Sequence, residues 1–171
     1  RGVSFSTARV IGDSGGVFVR SVLINAGRVS GIEKGDAAVT GSGLVGRVAV
    51  SGRQSGRVLL ITDLNSRIPV VSEKERLRAI LSGDNSNSPR LLFLPPNARL
   101  SVGERVVTSG HGGVFPAGLP VGTISSMEGG AIRIRPFVDF DTLEYIRVIT
   151  EFPGEVAGHI VSSNAATSRV K

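Results

Sequence analysis

Gly12-Asp13-Ser14-Gly15-Gly16 is the stretch of this 171-residue chain that most suggests chemistry. Glycines permit a tight turn, the N–H groups of such a turn can converge on a developing oxyanion, and the serine between them stands exposed. A serine nucleophile also needs a base, and the base needs a group that orients it. The two histidines, His111 and His159, both lie far downstream of Ser14. His111 sits in Ser109-Gly110-His111-Gly112-Gly113, with no carboxylate close in sequence. Asp139 and Asp141 alternate at the end of a strand, a spacing that suits a turn better than an acid–base pair. Asp63-Leu64-Asn65-Ser66 has the composition of a capped turn. There is no phosphate-binding glycine loop and no HExxH motif, and a chain with no cysteine and two histidines is poor in metal ligands. We therefore expect no catalytic, cofactor or metal site, and we read residues 13–16 as a turn between strands at 8–11 and 17–24.

The elements that would position any site are strands. Short β-rich runs separated by turn residues fall at 17–24, 44–50, 58–61, 67–71, 78–81, 91–94, 105–108, 119–125, 131–135 and 144–150. The run at 58–61 is wholly apolar and suits a buried strand, while Ala131-Ile132-Arg133-Ile134-Arg135 alternates and needs one wet face. Residues 73–76 have room for one helical turn, and Asp84-Asn85-Ser86-Asn87-Ser88 reads as a surface loop. No apolar periodicity of 3.6 persists long enough to predict a helix. Twenty-three glycines, roughly twice the usual share of about 7%, supply the turns that so many strands require. The expected class is all-β with no helical domain, and the strand number and spacing fit small barrels or a sandwich.

An internal echo supports two barrels. Gly35-Asp36-Ala37-Ala38-Val39-Thr40-Gly41 precedes Gly43-Leu44-Val45-Gly46-Arg47-Val48. Further on, Gly103-Glu104-Arg105-Val106-Val107-Thr108-Ser109 precedes Gly118-Leu119-Pro120-Val121-Gly122-Thr123-Ile124. Each copy reads as turn, strand, glycine turn and a second strand with a glycine inside it. A glycine within a strand marks a bend or a close backbone approach, which lets a short sheet curl. We place the first barrel at 8–66, the second at 67–150, and a disordered tail at 151–171.

The net charge is +6, but the arginines are spread singly along strands and turns, and aromatics make up 5%. Nucleic-acid binding is thereby disfavoured, since it needs a basic stripe and stacking surfaces. Residues up to 57 lean basic and 128–155 lean acidic, a polarity that suits orienting a partner or self-association, or an ordinary solvated surface. Val114, Phe115 and Pro116, on a glycine-flanked loop, are candidate partner-binding residues, as is Arg47. The opposing reading of Phe115 is that it plugs its own barrel. No stretch approaches the roughly 20 apolar residues of a membrane span, and a chain that starts at Arg1 is expected to be a piece of a longer one.

Several blocks, in order, resemble the MreC family of bacterial rod-shape proteins. They are Leu23-Ile24-Asn25-Ala26-Gly27 with Gly31-Ile32-Glu33-Lys34-Gly35-Asp36, then Gly43 to Val48 as quoted above, then Arg57-Val58-Leu59-Leu60-Ile61-Thr62-Asp63 with Ser66-Arg67-Ile68-Pro69-Val70. The last is Val106-Val107-Thr108-Ser109-Gly110 with Gly113-Val114-Phe115-Pro116 and Gly118-Leu119-Pro120-Val121-Gly122. The resemblance implies a periplasmic part built of two small six-stranded barrels, with the final strand near 144–150 open to return to the first, distantly chymotrypsin-like but without the catalytic triad, on a protein anchored in the inner membrane by a helix and coiled coil outside this chain. It implies a non-enzymatic scaffold that couples the cytoskeletal elongation machinery to lateral-wall peptidoglycan synthesis and maintains rod shape. The implied partners are the elongation-specific penicillin-binding transpeptidase, MreD, the actin-like MreB and further copies of the chain, with no nucleic acid. The other readings are a generic β-barrel adaptor of an envelope assembly system and a serine hydrolase using Ser14. The second of these would resemble chymotrypsin-like proteases, whose histidine and aspartate precede the serine, the reverse of the order here.

Overall fold

The computed structural model describes residues 2–13 and 19–153. Strands β1 (Ser4–Asp13), β2 (Ser21–Ile24), β3 (Ala37–Val39), β4 (Leu44–Ser51) and β5 (Gly56–Leu60) are followed by β6 (Arg67–Ser72), β7 (Arg78–Ser82) and β8 (Arg90–Leu92). Then come β9 (Arg105–Thr108), β10 (Pro120–Ser126), β11 (Ile132–Pro136) and β12 (Tyr145–Glu151). Helical structure among the described residues is limited to single 3-10 turns, such as Arg28–Ser30 and Phe140–Thr142. None of it is long and apolar enough to cross a membrane. The hydrogen-bonded order closes two six-stranded barrels, β1-β12-β3-β4-β5-β2 and β10-β11-β8-β7-β6-β9. The fold is all-β, as the spacing of apolar runs and turn residues predicts.

The two barrels are register-matched copies. Gly46 pairs with Ala38 on one side and Leu60 on the other, and Gly122 pairs with Val106 and Pro136. The bulges recur at the same places. Val45 and Val121 are each skipped in the pairing just before the glycine, and Ala49 and Ser125 are each skipped three residues after it. A bulge bends and twists its strand, which is what closing so small a ring demands. The glycines have a steric cause. A Cβ on Gly46 would lie 1.8 Å from the Leu59 carbonyl oxygen, and one on Gly122 would lie 2.2 Å from that of Arg135.

The register also shows which strand completes each barrel. β12 fills the slot between β1 and β3, and β6 fills the equivalent slot between β7 and β9. Ala8 faces Ile146 as Ala79 faces Val70, and Ala38 faces Val148 as Val106 faces Ser72. Residues 44–72 therefore run in step with 120–148 without a gap. Each repeat makes five strands of one barrel and sends its sixth to the other: β6 follows β5 but closes the second barrel, and β12 follows β11 but closes the first.

The two crossings are built alike. At the first, the Asp63 carboxylate is fully buried and accepts the backbone N–H groups of Arg20 (2.7 Å) and Asn65 (2.8 Å). At the second, Asp139 accepts the N–H of Asp141 at 3.0 Å. An aspartate that bonds the backbone two residues on makes a compact turn. The turns read from composition at these sites are the crossings between barrels.

One apolar cluster, including Ile24, Val48, Val58 and Ile146, fills the first barrel. A second fills the other barrel around Ile68, Leu81, Ile124 and Ile134, and continues onto Ala37, Val39, Leu44 and Ile149 of the first. Buried Val, Leu and Ile side chains each stabilise the fold by about 1.5–3 kcal/mol. Residues 154–171 lie outside the described residues. Glu151 ends β12 and Phe152 packs against the second cluster, so the start of the expected tail belongs to the fold.

Candidate partner-binding surface

Ser14 and His159 fall outside the described residues. Asp13 ends β1 and lines a cleft of about 370 Å³ with Arg20, Asn87 and Asp141. Arg20 Nη1 donates to Asn87 Oδ1 at 2.9 Å across it. No histidine is among the described residues that line this cleft, and His111 is exposed on the loop before β10. No described group of histidine, aspartate and glutamate residues is arranged to hold a metal ion.

The candidate loop 110–118 folds inward. The Thr108 hydroxyl, itself buried, donates to the Pro116 carbonyl at 2.6 Å and accepts the Leu119 N–H at 2.8 Å. This draws Phe115 into the core of the second barrel, where it is 3% exposed. Phe115 and Pro116 are buried and offer a partner nothing in this conformation, so the plug describes Phe115 better than the anchor. Val114 alone of the three is exposed. Arg47, half-buried on β4, sits between Ala37 and Leu59 in register and is not next to Val114. The structure does not join the four candidates into one surface.

It does assemble another. Along β1 the exposed residues are Phe5, Thr7, Arg9 and Ile11, and the covered ones are Ser6, Ala8, Val10 and Gly12. Successive strand residues point to opposite faces, so Phe5, Thr7 and Arg9 share one face, and Ile11 is exposed at the bulge that follows. On β12, Tyr145 stands opposite Arg9 and Arg147 opposite Thr7. The Arg147 guanidinium lies 5.2 Å from the centre of the Phe5 ring, within cation–π range. Beside it is a depression of about 240 Å³, lined by Thr7, Val39, Thr40, Gly41, Tyr145, Ile146 and Arg147. The sequence reading missed this face because it joins the two ends of the chain. Its one local signal is the alternation of large residues with small ones from Phe5 to Gly12.

A further cavity, about 460 Å³ at the end of the second barrel, is bordered by an ion pair. Arg105 Nε bonds Glu73 Oε1 at 2.7 Å and the guanidinium lies 4.9 Å from the Phe137 ring centre.

Comparison with known proteins places this architecture. Residues 10–150 match the family model of the rod shape-determining protein MreC, barrel core. The cell shape-determining protein MreC of Cereibacter sphaeroides is 48% identical over 143 residues, which cover 84% of this chain and 48% of the relative. The chain thus spans about half the length of the curated relatives it matches. The crystal structure of MreC from Pseudomonas aeruginosa superposes with a TM-score of 0.80 at 29% identity, covering 85% of this chain and 99% of that chain. A complex between penicillin-binding protein PBP2 and MreC from Helicobacter pylori is similar in fold, with a TM-score of 0.67 at 16% identity over 87% of this chain and 99% of that chain. Two register-matched barrels, a family model that runs from β1 into β12 and close relatives all named for cell shape converge on one conclusion: the chain belongs to the MreC family of rod shape-determining proteins, a structural family and not an enzymatic one, and it contains that family's barrel core.

Proposed function

We propose that this chain is the barrel core of a periplasmic scaffold that couples the cytoskeletal elongation machinery to lateral-wall peptidoglycan synthesis and so maintains rod shape. The match of residues 10–150 to the MreC barrel core carries the reading. In this proposal the first barrel takes 8–66 with the returning strand near 144–150, and the second takes the chain from 67 up to that strand. Two closed rings suit a rigid presenting surface, since they leave no sheet edge for uncontrolled pairing.

The partner we assign is the elongation-specific penicillin-binding transpeptidase. The H. pylori protein of the same fold stands in a complex with PBP2, which supports the assignment. Another solved relative is the major periplasmic domain of a cell shape-determining filament, which supports a periplasmic site and self-association. The location is the periplasmic face of the inner membrane, with MreD and MreB as further members of the assembly. A generic adaptor of envelope assembly gains no support from the relatives.

The test is calorimetric titration of the purified chain with the periplasmic part of the transpeptidase. The expected result is saturable, one-to-one binding with a Kd on the order of micromolar. Absence of any heat or co-elution at about 100 µM, with the chain folded by circular dichroism, sinks the proposal.

A further inference from the structure

Resting on the scaffold reading above, we propose that the outward face of β1 and β12 is where the partner docks, and that it receives a segment presenting one large apolar side chain flanked by carboxylates. The face concentrates what interfaces select. Phe5 is 47%, Ile11 52% and Tyr145 59% exposed, on two adjacent strands. Single exposed apolar residues are ordinary, but adjoining ones mark an interaction surface. Tyrosine and arginine are the residues that most often carry binding energy at interfaces.

The occupant follows from shape and charge. The depression beside Tyr145 has Val39 and Ile146 in its lining, so it suits an apolar side chain rather than a charged one. Its volume of about 240 Å³ is several times the ~30 Å³ share of one water. Arg147 borders it and Arg9 stands opposite Tyr145. Among the described residues neither arginine makes an ion pair, the described ion pairs being Arg105–Glu73 and Arg133–Asp84. The carboxylates of β12 and its approach, Glu144 and Glu151, lie at the ends of the face, and Glu151 already accepts the Ser4 hydroxyl at 3.3 Å. A guanidinium laid on an aromatic ring keeps its N–H fork in a fixed plane, ready for a carboxylate. Phe5 to Arg9 pair with Tyr145 to Ile149, and the side chains this pairing aligns on the outer face are what the partner reads.

Titration of the chain with the periplasmic part of the transpeptidase tests this, using Tyr145→Ala, Arg147→Glu, Thr7→Trp and, as a remote control, Val102→Ser. All four side chains are exposed, so the melting curves should overlay. Tyr145→Ala and Arg147→Glu should each weaken binding tenfold or more, and the effect of Arg147→Glu should shrink as salt rises from about 0.05 to 0.5 M. Thr7→Trp, which fills the depression and removes no aromatic group, should weaken binding to a similar degree, while Val102→Ser should bind as the parent does. A parent that binds while the three face variants bind equally well overturns the docking face and leaves the scaffold function standing. A parent that does not bind overturns both. Variants that alter self-association of the chain, by sedimentation, and leave transpeptidase binding unchanged overturn the assignment of the occupant.

Discussion

Asp84 shows how a single side chain ties stability to pH. Its carboxylate accepts Arg133 Nη1 at 2.6 Å and the Ser86 hydroxyl at 2.6 Å, and Arg133 also reaches the Ser88 carbonyl. Burial alone would raise its pKa, but the bonds from Ser86 and Arg133 and the charge of Arg133 outweigh it and hold the carboxyl below its usual value. The lowered value makes the charged form the stabilising one. The contribution is therefore complete above the unfolded pKa of about 3.9 and is lost as pH falls through the lower folded value. Asp84→Asn should cost about 1 kcal/mol or less at pH 7 in urea denaturation, because the pair is partly exposed. The difference from the parent should shrink toward zero as pH falls below the unfolded value and through the lower folded one. The polar run from Asp84 to Ser88 marks a loop in the sequence. Its anchor on Arg133 could not be read there, since nothing local to residue 84 points to a strand so far along the chain.

At the scale of strands and turns, the echo between the halves was legible because its causes are local. Gly46 and Gly122 are both needed where a neighbouring carbonyl occupies the place of a side chain. Gly46→Ala or Gly122→Ala should destabilise by about 3 kcal/mol in urea denaturation, because a backbone oxygen cannot withdraw without breaking the ladder. Gly41→Ala, with nothing within 4 Å, should be neutral or up to about 1 kcal/mol stabilising. The crossings give a second matched pair. Asp63→Ala strands the N–H groups of Arg20 and Asn65 at a buried site and should cost about 2–3 kcal/mol. Asp139→Ala removes one bond at an exposed site and should cost about 1 kcal/mol or less. The face of β1 was not legible, for a reason that belongs to the element. Ile24, Val48, Val58 and Ile146 from the other strands fill the ring, so β1 contributes only Ser6, Ala8, Val10 and Gly12 to its inner side and leaves Phe5 outside. On this one strand the usual expectation of large apolar residues within is reversed. At loop 110–118 the sequence held both readings of Phe115 open, and the bonds made by Thr108 decide between them.

At the scale of the molecule, two barrels could be read from strand spacing and repetition, while the return of the last strand to the first barrel came only as an open expectation from the family resemblance. A strand's partner is set by slots that exist only once the other five strands have closed. Ser4 faces Glu151, so the first and last strands of the fold lie side by side, antiparallel, with their outer ends at the same pole of the first barrel. That adjacency has a mechanical meaning. Tension applied between Gly2 and Pro153 would load the hydrogen bonds of β1 and β12 one after another, as in opening a zipper, and not all together in shear. In single-molecule pulling by these two residues, the first barrel should yield at low force, with the second still intact. In the wall-building scaffold proposed above, the seam between the first and last strands would be the point that gives way first under tension.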